Sequence, residues 1–328
     1  MLQLKCALPS QAAAGIAANE TNLVLKEVNE EEPHLMINRK VDQLLAQLPY
    51  LEEGGRQVAG TLHNAVLQGG VQTRTAADIL HGIWLGHPLH PLLTDVTIGA
   101  WTLGSLADLL SLAGGSKQME KSADFLTAVG TASAIPTALS GLTDFSTIPR
   151  PATRAGAAHG LLNAAALIFY TLSLSARKRQ NRGDARFFSF LGLMTATASA
   201  YLGGHLVYDK NVGVKHGGEV VEPTAWKRVM AESDLPEEEP MRVEVADHPV
   251  LLYRNNGRIL AVGAVCPHAG GPLEEGEVRE DKVQCPWHDS VFDLTDGCVV
   301  HGPSAYALPH YETRVREGQL EVRLTNPA

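Results

Sequence analysis

Hydrophobic positions recur at helical spacing over the first two thirds of the chain and alternate as strands over the last third. From Val41 to Gln72 the apolar residues are Val41, Leu44, Leu45 and Leu48, then Val58, Leu62, Val66 and Leu67. Residues 36–74 are therefore expected as an amphipathic helical segment, with a turn over Glu52–Arg56 at Gly54-Gly55. Ahead of it, residues 1–35 are polar, acidic and without periodicity, and are expected as a disordered tail. Pro88 and Pro91 interrupt the stretch Leu80–Pro91 and predict a bent lead-in rather than a straight helix.

Four long apolar stretches follow, roughly Leu92–Ala113, Ala123–Ile148, Ala157–Ala176 and Phe187–Val207. Each is near the ~20 residues that a helix needs to cross a bilayer. A soluble bundle would need a polar stripe on every helix, and these stretches carry too few charges for that. Their interiors are rich in Gly, Ala, Ser and Thr, and Ala196, Ala200 and Gly204 form a small-xxx-small row for close contact in lipid. Trp84, Trp101, Tyr170 and Tyr201 are expected near the membrane interfaces. Residues 75–208 are thus predicted to be a four-helix transmembrane bundle.

Residues 209–223 are rich in Gly and charge and predict a linker. Short alternating segments then appear at Met241–Val245, Val250–Tyr253, Ile259–Val262, Tyr311–Val315 and Leu320–Leu324. Asn255-Asn256-Gly257 and Glu317-Gly318 supply hairpin turns. Residues 224–328 are expected as a small all-β domain, so the fold class is multidomain α + β.

Composition narrows the function only a little. The 328 residues carry a net charge of −9, which gives no nucleic-acid footprint. No basic stretch followed by an apolar one opens the chain, so no signal peptide is expected. Of the four cysteines, Cys6 and Cys298 lie far apart, which argues against a disulfide framework.

The other two carry the chemistry. Cys266-Pro267-His268 and Cys285-Pro286-Trp287-His288 form C-x-H, sixteen residues, then C-x-x-H. Two thiolates on one iron and two imidazoles on the other are the ligand set of a [2Fe–2S] centre of Rieske type. Zinc could take the same four donors. The surroundings favour the cluster. Over about residues 224–325, Cys266-Pro-His268-Ala-Gly-Gly-Pro-Leu, Cys285-Pro-Trp-His288-Asp-Ser-Val-Phe-Asp, Gly297 and Gly302-Pro303 resemble the Rieske family. The resemblance implies stacked antiparallel sheets, two ligand loops at one tip, and a third, proline-bearing loop at Gly302-Pro303.

The departures from the family pattern are informative. Rieske proteins of cytochrome bc complexes join the two loops by a disulfide, and its places here hold Gly271 and Trp287. The chain is similar instead to the ferredoxin-type domains that feed oxygenases. Ser290 stands where high-potential members place a hydroxyl near a cluster sulfur, whereas Phe292 replaces their tyrosine. One such donor without the other implies a potential in the lower half of roughly −150 to +300 mV. Cys298 is expected as a buried structural thiol, and His301 and His310 as surface or loop histidines.

His87-Pro88-Leu89-His90-Pro91 followed by Thr94-Asp95 resembles the signature of an uncharacterised bacterial membrane-domain family, over about residues 75–210. Four crossings place His87, His90, Asp144, His159 and His205 on one membrane face, beside the β domain. Interfacial polarity accounts for such residues, and so does a cofactor site holding a b-type haem or a quinone. His159 and His205 are the preferred axial pair, and His87 and His90 the alternative. Asp108 lies deeper and points to a proton path or a buried pair.

Seven basic residues flank the crossings on each face, so charge does not orient the chain. A cluster without a protecting disulfide suits a reducing compartment. The expectation is a multi-pass protein of a bacterial cell membrane with its Rieske domain in the cytoplasm. Its expected role is that of an oxidoreductase component passing single electrons between a soluble reductase or acceptor and a haem or quinone. The alternative is a tethered ferredoxin or redox sensor on an inert anchor. A terminal oxygenase is not expected, since that chemistry needs a mononuclear iron on two His and a carboxylate in a further large domain. The absence of a Gly-rich dinucleotide fingerprint leaves NADH or flavin to a partner.

Overall fold

In a computed structural model of the chain, residues 37–114 and 116–326 are described. The expected tail, residues 1–35, lies outside them. The chain divides after Leu48 into two units. The described part of the first is helix α1 (Ile37–Ala46) and the short turn after it.

The second unit opens with α2 (Pro49–Gln68) and α3 (Gly70–His81). The turn expected over Glu52–Arg56 is absent, because α2 runs straight through Gly54-Gly55. Gly55 instead permits close packing: a Cβ there would lie 3.0 Å from Thr153 Cγ2 and 3.2 Å from Ala157 Cβ. The chain turns at Gly69-Gly70, where Gly70 takes a φ of +76° that a side chain would resist. The lead-in bends as expected. Gly82 caps α3 in the left-handed conformation, a single 3-10 turn spans Ile83–Leu85, and Gly86 is left-handed again. Pro91 then falls in the first turn of the next helix, where its missing N–H leaves no hydrogen bond unmade.

Four long helices follow: α4 (Leu89–Gly114), α5 (Lys117–Ser146), α6 (Thr153–Lys178) and α7 (Arg182–Tyr208). By length and composition all four can cross a membrane. They pair as two hairpins, α4 on α5 and α6 on α7. Their burial is inverted relative to a water-soluble bundle. Along α4 the buried face is Thr97, Ala100, Trp101, Gly104, Ala107, Asp108 and Ser111, while Leu103, Leu106, Leu109 and Leu110 are exposed. Large apolar groups outside and small or polar groups inside suit lipid as the surrounding solvent.

Two details of the bundle depart from expectation. Trp101 and Tyr170 are not interfacial; they stack at the bundle centre with ring centroids 4.3 Å apart. Gly130 and Gly192 make this possible, since Cβ atoms there would lie 2.5 Å and 2.7 Å from the two rings. The small-residue packing row of α7 is Ser189, Gly192, Ala196 and Ser199, whereas Ala200 is exposed. The 3–4 spacing follows the helix face that meets α6, which a strict i, i+4 row drifts away from.

Asp108 belongs to a buried pair. Arg177 of α6 grips both its carboxylate oxygens and also bonds Asp124 at 2.7 Å and Ser189 at 3.0 Å. Arg182 bonds Asp124, and Arg186 bonds Glu120 at 3.0 Å. This network ties the two hairpins together at the end of the bundle away from Leu89.

The β domain has two antiparallel sheets. A six-stranded sheet is ordered β1-β10-β9-β4-β3-β2 and a four-stranded one β5-β6-β7-β8. Strands β2 (Met241–Val245), β3 (His248–Asn255), β4 (Arg258–Gly263), β9 (His310–Arg316) and β10 (Gln319–Asn326) match the alternating segments of the sequence. Strand β1 (Lys227–Ala231) is an edge strand with a weak burial pattern. The second sheet consists of three-residue strands, β5 (Glu277–Arg279), β6 (Lys282–Gln284), β7 (Val291–Asp293) and β8 (Val299–His301). An apolar core of Leu251, Val262, Leu273, Val283, Phe292, Leu294 and Leu308 joins the sheets and extends to Cys266 and Cys285.

Candidate metal centre

The two cysteine–histidine loops are built alike. In the first, the Cys266 N–H donates to Gly271 O at 2.8 Å and the Gly270 N–H to Cys266 O at 2.9 Å. In the second, the Cys285 N–H donates to Ser290 O at 2.8 Å and the Asp289 N–H to Cys285 O at 3.2 Å. The fifth residue of each loop is left-handed, Gly270 at φ +80° and Asp289 at +63°. Asp tolerates this conformation better than most residues. Its carboxylate is also fixed, accepting from Gln284 Nε2 at 2.5 Å and lying 2.8 Å from His63 Nε2.

These repeated turns bring four donors together. Cys266 and Cys285 are buried free thiols, and the rings of His268 and His288 meet edge to face with centroids 4.9 Å apart. Among the described residues, the Nδ1 atoms of both histidines are buried without a hydrogen-bond partner. Buried polar atoms are rarely left so, and a metal is the partner that two such nitrogens and two sulfurs can share. The electrostatics agree with metal binding. Burial pushes the His268 imidazole down to about 3, helped by neighbouring His288, and burial likewise lowers His288. Both rings are therefore held neutral, the form that ligates. The two sulfurs share a proton: the hydrogen bond with Cys285 pushes the Cys266 thiol up, and the same bond lowers Cys285. A donor set of this composition fits a [2Fe–2S] cluster.

Ser290 is fully buried, and its hydroxyl bonds the Cys266 sulfur while accepting the Ser304 N–H at 3.0 Å. Phe292 fills the core beneath and offers no hydroxyl. Gly271 and Trp287 are in contact: a Cβ on Gly271 would lie 3.3 Å from the Trp287 ring and 2.8 Å from Cys285 Sγ. The ring of Trp287 thus spans the gap between the loops and is 54% exposed beside the sulfur ligand.

The ligand tip is seated on the helical part of the unit. The Asp78 carboxylate of α3 accepts the Gly302 N–H at 2.9 Å and contacts His301 Nδ1 at 2.8 Å. The same cleft is lined by His63, Arg74, His81, Thr147 and His288. His81, buried at the end of α3, bonds Asp144 of α5 through Nδ1 at 2.9 Å. None of His63, Asp78 and His81 stood out in the sequence. Their partners lie between 63 and 226 positions away, beyond any local pattern. His301, expected as a surface or loop histidine, ends β8 with its side chain 33% exposed and takes part in this seam. One expectation about a neighbouring residue fails. Cys298 is exposed, because it follows the left-handed turn at Gly297 with its N–H held by Asp296 Oδ1 at 2.8 Å.

The membrane-domain histidines separate into different settings. His87 is exposed in the bend, its Nδ1 3.0 Å from Pro88 O. His205 is buried near the end of α7 with Asp209 3.8 Å from its Nε2. The rings brought together are His90 of α4 and His159 of α6, one from each expected pair, with centroids 6.3 Å apart.

Known proteins resemble the chain in two separate parts. The Rieske [2Fe-2S] domain family matches residues 225–312, and the family described as predicted membrane protein (DUF2231) matches residues 86–216. Ferredoxin CarAc of Metapseudomonas resinovorans is 31% identical over 98 residues, which are 30% of this chain and 92% of that protein. The cytochrome bc1 complex Rieske iron-sulfur subunit of Streptomyces lividans is 42% identical over 79 residues, 24% of this chain and 46% of that one. Human Apoptosis-inducing factor 3 is 32% identical over 95 residues, 29% of this chain, and the chain spans only 16% of that protein's length. Through its C-terminal β domain, preceded by a predicted membrane domain of four apolar helices, the chain belongs to the Rieske [2Fe–2S] family.

Proposed function

We propose that this protein is a membrane-anchored Rieske electron carrier with its cluster on Cys266 and Cys285 at one iron and His268 and His288 at the other. The two unpartnered, buried Nδ1 atoms carry this assignment. The cluster supplies a one-electron couple. The chain's own residues set its surroundings: Ser290 donates to a sulfur, and the Gly302-Pro303 loop is held over the tip by Asp78. Likeness to a free-standing ferredoxin over 92% of its length supports single-electron exchange with a soluble reductase or acceptor.

The seating of the tip on α2 and α3 supports a second exchange, with a haem or quinone in the membrane bundle. His159, His205, His87 and His90 are the candidate residues for that group. We place the domains at 36–74, 75–208, 209–223 and 224–328, and the Rieske domain in the bacterial cytoplasm, where a reducing medium suits a cluster lacking the loop disulfide.

Anaerobic purification of the full chain in detergent tests the carrier reading. Iron and acid-labile sulfide in equal amounts, with an EPR signal on reduction that Cys285→Ala and His288→Ala abolish, are the expected results. Zinc in place of iron, or EPR silence on reduction, refutes it. Protease access in inside-out against right-side-out vesicles tests the orientation.

A further inference from the structure

We propose that His90 and His159 are the two axial ligands of a b-type haem in the membrane bundle. The inference rests on the carrier reading and names the membrane group and its ligands. The two rings come from opposite hairpins and meet almost perpendicular, at 85°. Each is clamped by its own hairpin mate. His90 Nδ1 lies 3.0 Å from the Thr137 carbonyl of α5, and His159 Nδ1 lies 2.8 Å from the Ser199 carbonyl of α7. A carbonyl only accepts, so both Nδ1 atoms carry the proton and both Nε2 atoms present a lone pair. A ring N–H donated to a backbone carbonyl, with the other nitrogen left basic, is the usual support of a metal-bound histidine.

Spacing agrees. With metal–imidazole bonds of about 2.0 Å, and about 1.1 Å from each nitrogen to its ring centre, two trans imidazoles have centroids about 6 Å apart. The observed separation is 6.3 Å. Both rings pack closely on glycines: a Cβ on Gly141 would lie 2.7 Å from His90, and one on Gly203 would lie 3.2 Å from His159.

Charge selects the metal form. Among the described residues neither ring bonds a carboxylate. A bare divalent ion on two neutral ligands would keep its full charge inside the membrane, which is strongly unfavourable. Haem brings its own porphyrin dianion and four equatorial nitrogens, so two neutral imidazoles complete it. Asn163 Nδ2 lies 3.0 Å from His159 Nε2, and rotation of that one side chain frees the lone pair.

The position is also suitable. On α5, Gly141 beneath His90 is three residues from Asp144, about 4.5 Å of helix rise. Asp144 binds His81, which lines the cleft shared with His288.

The test uses the full chain, purified in detergent from haem-replete cells or supplied with hemin. About one haem per chain is expected by pyridine haemochrome, low-spin, with the highly anisotropic EPR signal of perpendicular imidazoles. His90→Ala and His159→Ala should each lose the low-spin spectrum. Added imidazole should restore it in His90→Ala, which shows that the bundle still folds, and Asn163→Ala should retain haem. No haem beside an intact [2Fe–2S] signal overturns the site and leaves the carrier reading standing. Haem whose spectrum is unchanged in both histidine variants also overturns it. Haem without a cluster signal keeps the site and sinks the carrier reading.

Discussion

Asp78 is the residue whose removal most directly probes how the ligand tip is held. Its carboxylate receives two donors from the third loop, the Gly302 N–H at 2.9 Å and His301 Nδ1 at 2.8 Å. Hydrogen bonds to a charged group are worth about 1.5–3 kcal/mol each. The Asp78 and His301 side chains are 21% and 33% exposed, so solvent screening lowers the sum. We expect Asp78→Ala to weaken seating by about 2 kcal/mol, a factor of about 30. Asp78→Asn keeps a neutral oxygen for the Gly302 N–H and should lose about half of that. Hydrogen exchange in detergent reads the effect at a single position: the Gly302 amide should lose protection in Asp78→Ala and lose less in Asp78→Asn. A double-mutant cycle with His301→Ala should return a coupling energy of about 1 kcal/mol. If the Gly302 amide of Asp78→Ala exchanges at the wild-type rate, the seam is not held as described.

Other substitutions test separate parts of the fold. Arg177→Met strands the Asp108 carboxylate, which is only 4% exposed, and should cost about 3–5 kcal/mol in thermal unfolding in detergent. The double variant Arg177→Met/Asp108→Leu should recover much of that loss. Tyr311 has a buried hydroxyl without a partner among the described residues, so Tyr311→Phe should stabilise the β domain by about 1 kcal/mol. Burial pushes its phenol up to about 12, above the unfolded value of about 10. The resulting stability is complete below the unfolded value and is lost as pH rises towards the folded one, a decline that Tyr311→Phe should remove. Gly192→Ala sets a Cβ 2.7 Å from the Tyr170 ring and should destabilise the bundle by about 1–3 kcal/mol. Gly271→Ala sets one 2.8 Å from Cys285 Sγ and should lower iron and sulfide per chain.

Sequence carried the elements with long, clean periodicity. The four spanning helices and strands β2, β3, β4, β9 and β10 all repeat their pattern over five residues or more. It did not carry β5 to β8, because three residues hold no alternation to read. Gly54-Gly55 misled because glycine signals both a turn and a close helix contact, and only the position of Thr153 and Ala157 decides between them. Trp101 and Tyr170 misled because residue type was weighed above position. Both lie well inside their helices, where Gly130 and Gly192 on neighbouring helices open a slot for the stacked rings. At the centre, the four cysteine and histidine donors were visible as spacing. The seam that seats them was not, since the pairings of His63, Asp78 and His81 are made by tertiary structure alone.

Histidine shows why residue type alone could not sort these sites. The chain uses the same imidazole in three settings that differ only in what the ring nitrogens meet. His268 and His288 each have a buried nitrogen without a hydrogen-bond partner among the described residues, the setting that suits a metal ligand. His63, His81 and His301 meet carboxylates, which makes them ties between segments. His90 and His159 meet backbone carbonyls through Nδ1, which fixes their tautomer, and Asn163 Nδ2 lies 3.0 Å from the second nitrogen of His159. Of the four candidate histidines, only His90 and His159 bring their rings together across the two hairpins, whereas the ring of His205 lies 3.8 Å from the Asp209 carboxylate at its own helix end.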